Sequence, residues 1–146
     1  MSVVGAVRGS KSVTTSAAGD CWALTETGSA ERARVVSEAV YKAMVEVASV
    51  PLHDKFQVIT RHETEEIIYP AEGYLGLTYS PDIVIIQVTW VAGRSTDVKQ
   101  RFYRMIADEI HEKQGVRKED IFITLVDNGR EDWSFGSGNM QYAPKQ

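Results

Sequence analysis

The run IVIIQVTWV at residues 83–91 is followed by AGRS at 92–95, by Val98, Phe102, Met105, Ile106 and Ile110 at helical spacing, and by the run IFITLV at 121–126. The first run is nearly continuous in β-branched apolar residues, the composition of a central strand buried on both faces. The stripe that follows is the apolar face of a helix, with Ser95 or Thr96 placed to cap it and Gly115 to stop it. Strand, helix and strand in that order form a β-α-β unit. Shifting the chain by 66 residues lays the same pattern on its earlier half: Gly28-Ser29 falls on Arg94-Ser95, Glu31 on Asp97, Val50 on Val116, Asp54 on Asp120 and Phe56 on Phe122.

In that earlier copy Val35, Val36, Ala39, Val40, Ala43, Met44 and Val47 recur at helical spacing. They predict a helix over 29–48 with Ser29 as its cap. Ser49-Val50-Pro51 ends it, because a residue before proline resists the α region. Phe56 to Thr60 then reads as a strand, and Cys21 to Thr25 supplies the strand ahead of the helix. The expected fold class is α+β, an α/β sandwich in which two tandem β-α-β units form a four-stranded mixed sheet with two helices on one face. The opposite face would be apolar and uncovered, which favours burial against copies of the chain in a closed oligomer. Residues 61–82, with Pro70, Gly73, Gly76 and Pro81, join the halves by a connection too long for a simple turn.

The 146 residues carry 16 basic and 20 acidic side chains, a formal net charge of −4. With no basic stripe and no aromatic-basic motif, nucleic acid is an unfavoured partner. The longest apolar run falls far short of a membrane span, so a soluble protein with no membrane partner is expected. A lone Cys21 points to a reducing cytoplasm. His53, His62 and His111 show no ligand spacing, and no metal is expected. Residues 1–20, Ser-rich and without an acid until Asp20, read as a flexible extension ahead of a domain over 21–146.

Several motifs carry a resemblance. Val50-Pro51 with Asp54-Lys55-Phe56-Gln57, His62 after the strand, Ala92-Gly93-Arg94-Ser95 and Asp132-Trp133-Ser134-Phe135-Gly136 together resemble the tautomerase superfamily, most closely its malonate semialdehyde decarboxylase-like branch. The likeness spans about residues 27–143 and is most specific in the DWSFG tail. It implies the fold of 4-oxalocrotonate tautomerase and macrophage migration inhibitory factor, a homotrimer, and a site near a subunit boundary. It also implies a small oxo-acid substrate and isomerase or decarboxylase chemistry without cofactor or metal.

Carried over residue by residue, the resemblance makes Asp54 and Arg94 the catalytic candidates. Arg94, Trp133 and Phe135 become the substrate-binding ones. Asp54 matches an acid that orients or activates water; the plainer alternative is turn chemistry, the role favoured for Asp120. Arg94 matches an arginine that meets a planar carboxylate with two parallel N–H donors; the alternative is a solvated helix-entry residue, unfavourably placed at a positive helix end. Trp133 and Phe135 match wall-forming aromatics, or pack an interface. Gln57 and His62 also fit, but nothing in the sequence orients His62 as a base. Gly136-Ser137-Gly138 precedes no helix and is not a phosphate loop.

The departures concern the reaction. The family's amino-terminal proline would fall near Ala18, whereas the prolines here are Pro51, Pro70, Pro81 and Pro144. Gly28 and Ala92 stand where relatives carry arginines, so one pocket cation is expected. Three readings follow. The chain is an oxo-acid enzyme, or its descendant, working without proline catalysis. Alternatively, it is a catalytically silent trimer kept for binding or structure. In the third, residues 1–26 come from another reading frame and the active protein begins elsewhere.

Overall fold

The computed structural model describes residues 30–143 and the backbone of 19–25. The expected cap Ser29, Gly28 and residues 1–18 of the expected extension lie outside the described residues, as does Pro144. The elements are β1 (Gly19–Thr25), α1 (Ala30–Glu46), β2 (Phe56–His62), β3 (Val84–Val91), α2 (Thr96–Gln114) and β4 (Ile121–Asn128). They form one mixed sheet in the order β2-β1-β3-β4, with β1 parallel to β2, antiparallel to β3, and β3 parallel to β4.

β1 opens at Gly19, two residues ahead of the Cys21 expected from apolar pattern. Its backbone pairs residue for residue with the whole of β2, Gly19 opposite Phe56 and Thr25 opposite His62, and ladder bonds extend a strand regardless of side-chain type. α1 ends at Glu46, two residues before the expected 48. Ser49 turns into the left-handed region at φ 56°, and the Val50 N–H reaches back to the Met44 carbonyl at 2.9 Å. The reversal is complete before Pro51 is reached. α2 is capped by Ser95, whose hydroxyl accepts from the Val98 N–H at 3.3 Å. It stops at Gly115, which adopts φ 65° as a left-handed cap.

Both helices cover the same face. Val36, Val40 and Met44 of α1 and Phe102, Ile106 and Ile110 of α2 close over Val84, Ile86, Val88 and Trp90 of β3 in a single core. Burying each such side chain is worth about 1.5–3 kcal/mol. Lys42 joins Glu109 across the helix pair at 3.0 Å. β3 departs from the expected burial on both faces: Ile85 and Gln87 on its other face are only half-buried. The helices cover one side alone, and on the other side burial is uneven, with Thr89 buried while Ile85 and Gln87 are not. Ile85 shares that outward face with its register partner Phe122, which is 47% exposed.

The long connection is stapled at its far end. The fully buried Asp120 accepts from the Ser80 N–H at 2.6 Å and the Ser80 hydroxyl at 2.8 Å, and it pairs with Arg117 at 2.9 Å. Gly73, at φ 83°, is held so close to Leu77 that a Cβ there would lie 2.3 Å from the Leu77 carbonyl oxygen. Among the described residues no helix is long and apolar enough to cross a membrane.

Candidate active-site cleft

The turn between α1 and β2 lies beside the end of β3 and the segment after β4, and a cleft of about 240 Å³ opens between them. Met44, Pro51 and Asp54 line it on one side, Trp90, Val91 and Arg94 on the second, and Arg130, Trp133, Phe135 and Tyr142 on the third. The volume sits below the range of about 300–1,000 Å³ usual for drug-sized ligands, which suits a small molecule. Asp54, Arg94, Trp133 and Phe135, separated by up to 81 residues in the chain (54 to 135), are thereby brought together.

Asp54 combines both alternatives left open above. Its N–H closes a turn onto the Pro51 carbonyl at 3.0 Å. Its carboxylate, part-buried, accepts from the Tyr142 hydroxyl at 3.3 Å. Burial pushes its pKa above the ordinary carboxylate value and the Tyr142 hydrogen bond offsets part of that rise. Tyr142 is pushed up in turn, by burial and then by the neighbouring Asp54 charge. The pair is a carboxyl biased toward holding its proton, with a hydroxyl in reach of the same space. The equivalent acid of the second copy, Asp120, is instead fully committed to Ser80 and Arg117.

Arg94 is held more firmly than an entry residue. Its Nε and Nη2 donate to the Ala48 carbonyl at 3.2 and 3.0 Å, and Nη1 to the Val91 carbonyl at 2.7 Å. Ala48 lies just past the carbonyl end of α1, so the cation that sits badly at the start of α2 sits well at the end of its neighbour. The Nε–Nη2 edge, one of those that could offer a carboxylate two parallel donors, is thus occupied. A guanidinium has five N–H donors and three are used, which leaves two for the cleft. Burial lowers the Arg94 pKa and Asp127 counteracts this.

The aromatic wall is built by the tail. Trp133, 3% exposed, stacks on Phe135 with ring centres 5.7 Å apart and planes at 11°. This is the same-side arrangement expected of alternate residues in an extended segment. Phe135 meets Tyr142 edge-on at 4.6 Å. Gln141 ties the return, accepting from the Phe135 N–H and donating to the Gly136 carbonyl, each at 2.9 Å. Gly136-Ser137-Gly138 is this chain reversal, with all three residues at positive φ. The Trp133 indole N–H is buried without a partner among the described residues.

Two residues that fit the motif lie elsewhere. Gln57 exchanges hydrogen bonds with Ser37 and fastens β2 to α1. His62 closes the far end of β2. Contrary to expectation it has orienting partners, the Thr60 hydroxyl at 3.0 Å and the Glu66 carboxylate at 3.4 Å. The turn Thr64–Glu66 delivers Glu66 there, a contact that sequence spacing did not reveal. The cleft also holds a cation beyond the one expected, Arg130, which has no ion pair among the described residues. Arg130 and Tyr142 belong to no motif spacing; only proximity to the DWSFG tail marked them. Among the described residues no cluster of three or more His, Cys, Asp or Glu could hold a metal. β1 enters the sheet with Gly19 opposite Phe56, two residues beyond Asp54.

A family model described as "Tautomerase enzyme" matches residues 54–136. The chain is 42% identical over 106 residues to the probable tautomerase YusQ of Bacillus subtilis (strain 168), covering 73% of this chain and 83% of that protein. It superposes with a TM-score of 0.77 on a crystal structure of FG41 malonate semialdehyde decarboxylase inhibited by 3-bromopropiolate, at 40% identity over 84% of this chain and 92% of that one. A fused 4-OT symmetric trimer shares the fold alone, at 16% identity and a TM-score of 0.69 over 83% of this chain and 93% of that one.

Proposed function

Since the chain belongs to the tautomerase superfamily, in its malonate semialdehyde decarboxylase-like branch, we propose that its cleft binds small oxo-carboxylic acids and moves a proton or a water at them through Asp54. The observation that carries this reading is the meeting of Asp54 and Arg94 in one small cleft walled by Trp133 and Phe135. The two N–H donors left on Arg94 take the substrate carboxylate. The stacked rings hold the carbon chain and thin the water around it, which strengthens the charge interaction. Asp54, with its pKa raised, gives a proton to an enol carbon, recovers one from the enol hydroxyl through water, or activates water toward a carbonyl.

Proline is not the agent in this proposal. Pro51 lines the cleft, but its nitrogen is part of a peptide bond and is neither basic nor nucleophilic. The outward face of the sheet, with Val58, Ile85, Phe122 and Val126, is the surface on which copies of the chain would close a homotrimer. A reducing cytoplasm suits the lone cysteine.

A second reading, a catalytically silent binding or structural module, is favoured by one observation: three donors of Arg94 already serve backbone carbonyls. Kinetics separate the two. The substrates are the enol of phenylpyruvate, followed to its keto form, and malonate semialdehyde, followed to its decarboxylation product. Arg94→Ala is expected to cost about 10–100-fold in kcat/KM, the value of a charge-assisted hydrogen bond. Activity unchanged by Arg94→Ala contradicts the binding role, and no turnover of either substrate by the wild-type protein favours the silent module.

A further inference from the structure

Arg94 enters the cleft with no carboxylate in direct contact among the described residues, and its charge is answered at one remove. Its guanidinium lies 4.4 Å from the centre of the Trp90 ring. The Trp90 indole N–H donates to one oxygen of Asp127, the residue opposite it in the β3–β4 register. The other Asp127 oxygen takes the Lys99 ammonium at 2.6 Å. Trp90 is 2% exposed and packs on Phe102 with ring centres 5.0 Å apart, so the ring cannot swing.

A cation on an aromatic face is attracted to the ring's electron density, and an anion accepting from the indole N–H raises that density. A carboxylate placed directly on Arg94 would consume the donors a ligand needs. Placed behind the ring, it stabilises the charge and leaves those donors open. Lys99 completes the arrangement by fixing Asp127, whose carboxyl it holds below the ordinary range despite burial, with the indole N–H adding to the effect.

We infer that Asp127 is a positioning residue for the cleft: through the Trp90 ring it holds Arg94 in place and supplies its counter-charge without occupying it. This rests on the reading that Arg94 receives a substrate carboxylate, and the test separates the two claims. In the full-length protein, hydrogen exchange of the Arg94 Nε–H, followed by NMR and assigned with Arg94→Lys, reports the positioning. KM for phenylpyruvate reports its use. Asp127→Ala is expected to speed that exchange about tenfold and to raise KM by more than it lowers kcat. Asp127→Asn, which keeps an acceptor for the indole, restores the slow exchange and recovers only part of KM. Unchanged exchange in Asp127→Ala overturns the inference. Faster exchange in Asp127→Ala with KM for phenylpyruvate unmoved upholds the positioning and removes the carboxylate-binding reading instead. If Asp127→Ala does not fold, Lys99→Met at the surface serves. A moved Trp90 indole N–H resonance with faster Arg94 exchange supports the inference, and an unmoved one contradicts it.

Discussion

Asp54 and Tyr142 are 88 residues apart in the chain and share a hydrogen bond, and their coupling sets a measurable quantity. The Tyr142 hydroxyl offsets part of the rise that burial imposes on the Asp54 carboxyl. Removing it in Tyr142→Phe leaves burial unopposed, so the Asp54 pKa rises further. In ketonisation the protonated carboxyl is the working form, because it gives its proton to the enol carbon, so the basic limb of kcat/KM moves to higher pH. A pH profile of phenylpyruvate ketonisation checks this, and an unmoved limb removes Asp54 from the titrating role. Sequence made Asp54 a candidate but not Tyr142. A motif records residues near one another in the chain, whereas Tyr142 reaches the cleft only because Gln141 and the turn at Gly136–Gly138 fold the tail back. Arg94 shows the same limit. Its place was legible, but the carbonyls of Ala48 and Val91 that claim three of its donors became visible only when α1 and β3 were packed against it.

At the scale of elements, the repeat made the order of strands and helices readable, because its apolar spacing recurs with Ser95 and Gly115 as end signals. The repeat did not say that its two acids would part company. Asp54 stays open to a cleft, while Asp120 staples the long connection to β4 through Ser80 and Arg117. Burial, the largest single influence on Asp120, raises its pKa. The Ser80 N–H, Arg117 and the Ser80 hydroxyl together outweigh that and hold it below the ordinary value. A carboxyl depressed in the folded state contributes stability that is present above its unfolded pKa and lost as pH falls through the folded one. Asp120→Ala is expected to cost about 1–3 kcal/mol in urea unfolding at neutral pH, mainly from the Ser80 N–H left unpaired. The cost should shrink under acid. An equal cost at both pH values contradicts the linkage.

For the whole molecule, helices on one side of the sheet leave Ile85 half-buried and Phe122 exposed on the other. The sequence made this face legible through the number of helices, though not the count of copies that would close it. Phe122→Asp places a charge on that face and is expected to turn a trimer into monomers in sedimentation equilibrium; a wild-type monomer contradicts the proposed assembly. The central claim concerns chemistry, namely that the Asp54 carboxyl, in one cleft with Arg94, moves the proton. The most direct measurement is phenylpyruvate ketonisation by protein of verified intact mass, wild type against Asp54→Asn. The account predicts turnover by the wild type and a loss of about 10²–10⁴-fold in the variant, the usual worth of a general acid–base group. Equal rates in the two proteins would contradict it.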